Sequence, residues 1–161
     1  MNRIPEFEIM QNTTLGALAI HTFIKEYYSS KYKVVGVQLP YIMPVLPIVY
    51  NEDSSSQISS KQLRVTSFYK ALSEERFIPV GLQSRMEEMY SQTMSSINVG
   101  LSLGIIIYSK EDNCFYPKDK IRLPEIFAGD NLNIIKAARN LGCWFARIDV
   151  DDLCIALKIN F

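Results

Sequence analysis

The stretch from Asn131 to Ile148, NLNIIKAARNLGCWFARI, constrains this chain most, because it is the clearest amphipathic helix in it. Ile134, Ala138, Leu141, Phe145 and Ile148 step by four and three residues, the spacing that lines up one helical face. Ile135, Ala137 and Trp144 widen that stripe to the breadth of a helix facing a globular core. Gly129 and Asp130 precede it as a helix stop and an N-cap. Gly142 costs about 1 kcal/mol relative to Ala inside a helix, so a second backbone is expected to pack against it. Leu141, Gly142, Trp144 and Phe145 are therefore the expected structural core. Lys136, Arg139 and Arg147 fall within about 80° of one another, on the far side from Ile134 and Leu141. They form a basic exposed edge.

A chain of 161 residues is most simply one domain, long enough to bury roughly two thirds of its unfolded surface. With 48% hydrophobic and 21% charged residues, the outside has few groups to solvate it, and some apolar surface is expected to meet a partner. The formal net charge of zero argues against a surface that attracts nucleic acid or membrane as a whole, while leaving room for a local basic patch. Cys114, Cys143 and Cys154 are odd in number and scattered, so neither a disulfide framework nor a zinc ribbon is expected. Cys143 and Cys154 lie among apolar neighbours and read as small core residues. The start MNRIPEFEIMQNTT has no continuous apolar run, and no stretch approaches the roughly 18 apolar residues of a membrane span. The expectation is a cytoplasmic protein without a membrane contact.

Before the central stretch, Thr13 or Thr14 caps an expected helix from Leu15 to Ser30 that carries His21, the sole histidine, as an exposed or half-buried structural residue. Pro40, Pro44 and Pro47 interrupt the most apolar run, Val34 to Tyr50, which predicts an extended piece to Gln38 and then a broken helix. The polar segment Asn51 to Ser60 is expected to be a flexible loop. Thr66 caps a further helix, and Gln83 to Leu103 reads as one long helix with a methionine-rich stripe. Residues 105–117 alternate as a β-hairpin around SKEDN, with a short turn at Leu123 to Phe127. A last helix follows Asp149. The fold class is mainly α (α+β): a compact helical domain with a hairpin wing, winged-helix-like.

An enzyme needs a constellation of reactive groups, and none stands out here. GVQLP, GLQSR and LGCW lack the repeated glycines and the Lys-Ser/Thr of a phosphate loop. One histidine and three scattered cysteines suggest no metal site and no activated nucleophile. Glu74-Glu75, Glu87-Glu88 and Asp151-Asp152 are helix neighbours pointing about 100° apart, which suits solvated faces or caps. No catalytic residue, metal or cofactor is expected. Two binding features remain. Lys110, Lys118, Lys120 and Arg122 flank the hairpin among Glu111, Asp112 and Asp119, as in a wing lying along a nucleic-acid backbone. The basic edge Lys136, Arg139 and Arg147 is the second. The plainer reading of both is a solvated charged surface.

The C-terminal third resembles the closing motif of the middle components of bacterial three-component ABC systems, which runs roughly K-A-A-x-x-L-G-x-W-F before a last apolar helix. Lys136, Ala137, Ala138, Leu141, Gly142, Trp144 and Phe145 match it, followed by Ile155, Ala156 and Leu157. Leu46, Pro47, Ile48 and Val49 are similar to the family's L-P segment, and the order of elements agrees along nearly the whole chain. Cys143 stands where a basic residue is common, and Ser54 to Ser60 is unusually rich in serine. The resemblance implies a non-catalytic adaptor beside an SMC-like or Rad50-like ABC ATPase dimer and an effector nuclease, in anti-phage or anti-plasmid defence. Lamassu-type systems have such a small subunit. DNA would then be met within the complex. The alternative class, a free-standing winged-helix transcriptional regulator, is expected to carry a net positive charge that this chain lacks.

Overall fold

A helix that is apolar over most of its circumference belongs in the middle of a fold, and the first helix of this chain is of that kind. The computed structural model describes the backbone of residues 6–74, 78–118 and 130–161, and the side chains of 13–74, 78–118 and 133–161. Helix α1 (Glu6–Ser30) buries Leu15, Ala17, Ile20, Phe23, Ile24 and Tyr27 over most of its circumference and leaves Thr14, Lys25 and Ser29 exposed along one strip. It begins well before Leu15, because Glu, Met and Gln propagate a helix readily; Thr13 and Thr14 consequently lie inside it rather than at its cap. His21 is buried, not exposed.

The expected core helix is α8 (Asp130–Phe145), and it packs along α1. Leu141, Gly142, Trp144 and Phe145 are all buried in it, as their spacing implies. Gly142 has a direct structural cause. A Cβ there would meet the Phe23 carbonyl oxygen at 2.5 Å and the Tyr27 amide nitrogen at 3.1 Å, so α1 and α8 touch backbone to backbone. Phe145 fits between Phe23 and Phe68, with ring centroids at 5.6 and 5.7 Å. Trp144 stacks obliquely on Phe68 at 5.6 Å, and its Nε1–H donates to the Gln62 carbonyl at 3.2 Å. The helix stops at Phe145 rather than Ile148. Ile148 is still buried, in a turn where its carbonyl accepts the Tyr41 hydroxyl at 2.8 Å. Ile134 is only half-buried, and the side chain of the expected cap, Asp130, lies outside the described residues.

Proline punctuates the apolar run as expected: β1 (Val37–Gln38) is followed by α2 (Leu39–Ile42) and α3 (Val45–Val49). Pro40 lies in the first turn of α2 and Pro44 at the N-cap of α3, where a missing N–H costs nothing. The polar segment behind them is not a loop but helix α4 (Glu52–Ser59). Asn51 Oδ1 caps it by accepting the Ser54 amide at 3.0 Å, and Glu52 and Asp53 favour its positive end. Ser54, Ser55 and Ile58 are buried, and α4 packs on α8, where Asn140 Nδ2 donates to the Ile58 carbonyl at 2.8 Å. Small serine side chains permit that approach, and composition alone reads them as turn formers.

Helix α5 (Val65–Glu74) starts one residue before its expected cap Thr66. The single long helix expected from Gln83 is two, α6 (Leu82–Glu88) and α7 (Tyr90–Ser102), broken at Met89 with φ −94° and ψ 6°. Nothing in the local sequence marks that break. Strands β2 (Ile106–Ser109) and β3 (Cys114–Pro117) form the expected hairpin. Among the described residues they join β1 in an antiparallel sheet of order β1-β3-β2, with Val37 and Tyr108 both opposite Phe115. The extended piece to Gln38 was expected, but not its pairing with the hairpin. The turn expected at Leu123 to Phe127 lies outside the described residues. Helix α9 (Val150–Leu157) buries Leu153 and Leu157, but Ile155, expected on its apolar side, is 75% exposed. Asp149 occupies the cap position without a side-chain capping bond. The result is a mainly helical α+β domain whose axis is α1, with α8 on it and the sheet at its end.

Candidate partner and nucleic-acid surfaces

Lys136 and Arg139 are exposed on α8, three residues apart and off its buried face, while Arg147 is exposed in the turn after the helix, so the three do not form the continuous helical edge expected of them. They are not equally free. Arg139 Nε lies 3.8 Å from Glu26 Oε1 on α1, and Arg147 Nη1 donates to the Leu63 carbonyl at 3.4 Å. Cys143, between them in the chain, is buried with its thiol on the same Leu63 carbonyl at 3.5 Å. The segment before α5 thus covers that turn of α8, which accounts for a small neutral residue there. Cys154, also expected in the core, is only half-buried.

The hairpin lysines divide between its two ends. Lys110 is exposed at the tip and Lys118 is exposed at the base, so at about 3.4 Å per residue a whole strand separates them. Lys118 contributes mainly through its backbone, donating to the Ile105 carbonyl at 3.1 Å and placing its own carbonyl 3.4 Å from His21 Nε2. Lys120 and Arg122 lie outside the described residues. At the tip, the Asp112 carboxylate accepts the Tyr116 hydroxyl and the Cys114 amide. The Tyr116 bond holds the Asp112 carboxyl below its ordinary range and pushes the Tyr116 phenol up to about 12.

Three surfaces escaped the sequence reading. One is an apolar groove of roughly 380 Å³ lined by Leu39, Pro40, Met43, Met86, Tyr90 and Phe161. It collects one side of the methionine stripe, with Tyr90 54% and Phe161 64% exposed beside it. A second groove, roughly 980 Å³, runs between α5 and α9 past Tyr69, Leu72, Val80, Asp152 and Ile155. The third is the turn after α1, where Tyr32, Val34 and Val35 are exposed in a row. Only the absence of glycine at a helix end hints at that turn in the sequence; the grooves join residues far apart in the chain.

The family ABC-three component (ABC-3C) system Middle Component 3 matches residues 1–161, the full length given. The chain belongs to that family. No curated protein and no solved structure matches it. The middle component therefore has its place among other components of an ABC system.

Its titratable groups are arranged for packing. Burial lowers the His21 pKa, partly opposed by the Lys118 carbonyl, so the ring is neutral in the core of this middle component. Burial likewise raises the Tyr27, Tyr41 and Tyr50 phenols. Among the described residues no cluster of three His, Cys, Asp or Glu side chains is placed to hold a metal ion, and no helix is long and apolar enough to cross a membrane.

Proposed function

We propose that this middle component is a non-catalytic adaptor that joins an SMC-like or Rad50-like ABC ATPase dimer to an effector nuclease in bacterial anti-phage or anti-plasmid defence. The observation that carries the reading is the family match along the whole chain. The exposed apolar groove between Leu39, Met86 and Phe161 supports it, since permanent interfaces are larger and more apolar than ordinary surface. The test is co-expression with the ATPase and effector encoded beside it, with and without the middle component. The expected result is one assembly of the three, and loss of the ATPase–effector association when the adaptor is omitted. An association of equal strength in its absence refutes the adaptor role. Turnover by the pure subunit, abolished by His21→Ala, overturns the non-catalytic part.

In the same reading, DNA is met by the assembly rather than by the neutral subunit alone, through Lys110, Lys118, Lys120 and Arg122 and the edge Lys136, Arg139 and Arg147. Charge reversal at Lys118, Lys120 and Arg122 is expected to weaken DNA binding by the complex. Each lost phosphate contact removes about one unit from the slope of log affinity against log salt. Assembly with the ATPase is expected to survive. A folded variant that no longer assembles would place these residues against protein instead.

A further inference from the structure

Helix α1 ends in a turn whose residue choice runs against its backbone. The Lys33 amide donates to the Tyr28 carbonyl at 2.9 Å and the Tyr32 amide to the Ser29 carbonyl at 3.1 Å, the bond pair that closes a helix through a left-handed residue. That left-handed residue is Tyr32, with φ 57°, and Lys33 follows at φ 58°. Glycine is favoured at such a position because a Cβ is strained there. A tyrosine that tolerates the strain ordinarily gains burial in return, yet Tyr32 is 90% exposed. Val34 is 75% and Val35 47% exposed beside it. Lys33 is exposed, and Lys31 leans over the Tyr27 ring at 6.0 Å. Glu26, one turn earlier on α1, is engaged with Arg139. The turn therefore presents an exposed tyrosine and two exposed valines on a hydrogen-bonded backbone, with Lys31 and Lys33 beside them.

We propose that residues 31–35 are a protein-docking knob, in which Tyr32 enters an apolar pocket rimmed by carboxylates on another component of the assembly. The proposal rests on the adaptor reading. Three chemical features select protein as the occupant. Tyrosine is among the residues most enriched at binding hot spots, and here it stands within a small apolar patch. Val34 and Val35 continue the patch along the chain, and a protein interface core takes up aliphatic side chains that a phosphate backbone does not. Lys33 at the rim then meets the acidic edge of the pocket, so the charge is complementary. The backbone bonds order the turn before binding, which reduces the entropy lost on docking.

The decisive variant is Tyr32→Gly, which removes the ring while giving the backbone the residue it favours. It is expected to fold with a thermal midpoint at or above that of the wild type. Its affinity for the co-purified ATPase and effector components, measured by calorimetric titration, is expected to fall tenfold or more. Lys33→Glu is expected to weaken the same association most at low salt. Unchanged affinity in Tyr32→Gly overturns the knob while leaving the adaptor reading intact. A wild-type chain that binds neither component overturns both. If the Tyr32→Gly loss appears only for a labelled single-stranded oligonucleotide, the occupant is nucleic acid and the proposal is wrong. Wild-type dimers by light scattering that dissociate in Tyr32→Gly would identify a second copy as the occupant, and likewise overturn it.

Discussion

Replacing Gly142 by alanine sets two effects of opposite sign against each other. In a free helix interior the change stabilises by about 1 kcal/mol, because alanine has the higher propensity. In this structure the new Cβ would lie 2.5 Å from the Phe23 carbonyl oxygen, and 3.1 Å from the Tyr27 nitrogen and the Glu26 Cβ. Two of these atoms are α1 backbone, which cannot rotate aside as a side chain does. The helices must separate by several tenths of an ångström along a contact that also holds Phe23 against Phe145. Overpacking of this kind costs about 1–3 kcal/mol or more, and a rigid backbone contact belongs at the upper end. The net expectation is a loss of about 1–2 kcal/mol, the difference between the overpacking and propensity terms. In a domain of this size that lowers the thermal midpoint by roughly 2–8 °C. Chemical denaturation at constant slope measures it directly. A variant more stable than wild type by about the propensity difference would show that α1 and α8 do not touch at Gly142.

Trp144→Ala removes a fully buried ring and its bond to the Gln62 carbonyl, and is expected to cost about 3–5 kcal/mol; an unchanged denaturation midpoint would contradict its packing on Phe68. Asn51→Ala deletes the cap of α4 and is expected to cost about 0.5–2 kcal/mol, whereas no change would mean that the serine-rich helix is held by packing alone. Because the folded pKa of His21 lies below its ordinary 6.5, the unfolded chain binds the extra proton first. Stability from this group is complete above pH 6.5 and declines as the pH falls below it, and His21→Gln is expected to flatten that part of the profile. An identical pH dependence in the variant would assign the decline to other groups.

The core of α8 was legible in the sequence because period and composition agreed. Trp144 and Phe145 had to face inward, and Gly142 had to mark a close backbone, since a helix tolerates an unexplained glycine poorly. The hairpin and the proline-broken run were legible for similar local reasons. The helix at Glu52–Ser59 was not, since its serines are favourable there only with Asn51 as a cap and α8 as a neighbour. Nor was the central place of α1, because periodicity marks a helix but not how many neighbours surround it, and here all but one strip of it is covered. Local periodicity determined which segments fold and which residues of α8 are inside. Tertiary packing decided what is left outside. It exposed Ile155, left Cys154 only half-buried, gathered Leu39, Met86 and Phe161 into one groove and set Tyr32 on a strained turn, because exposure depends on neighbours that are distant in the chain.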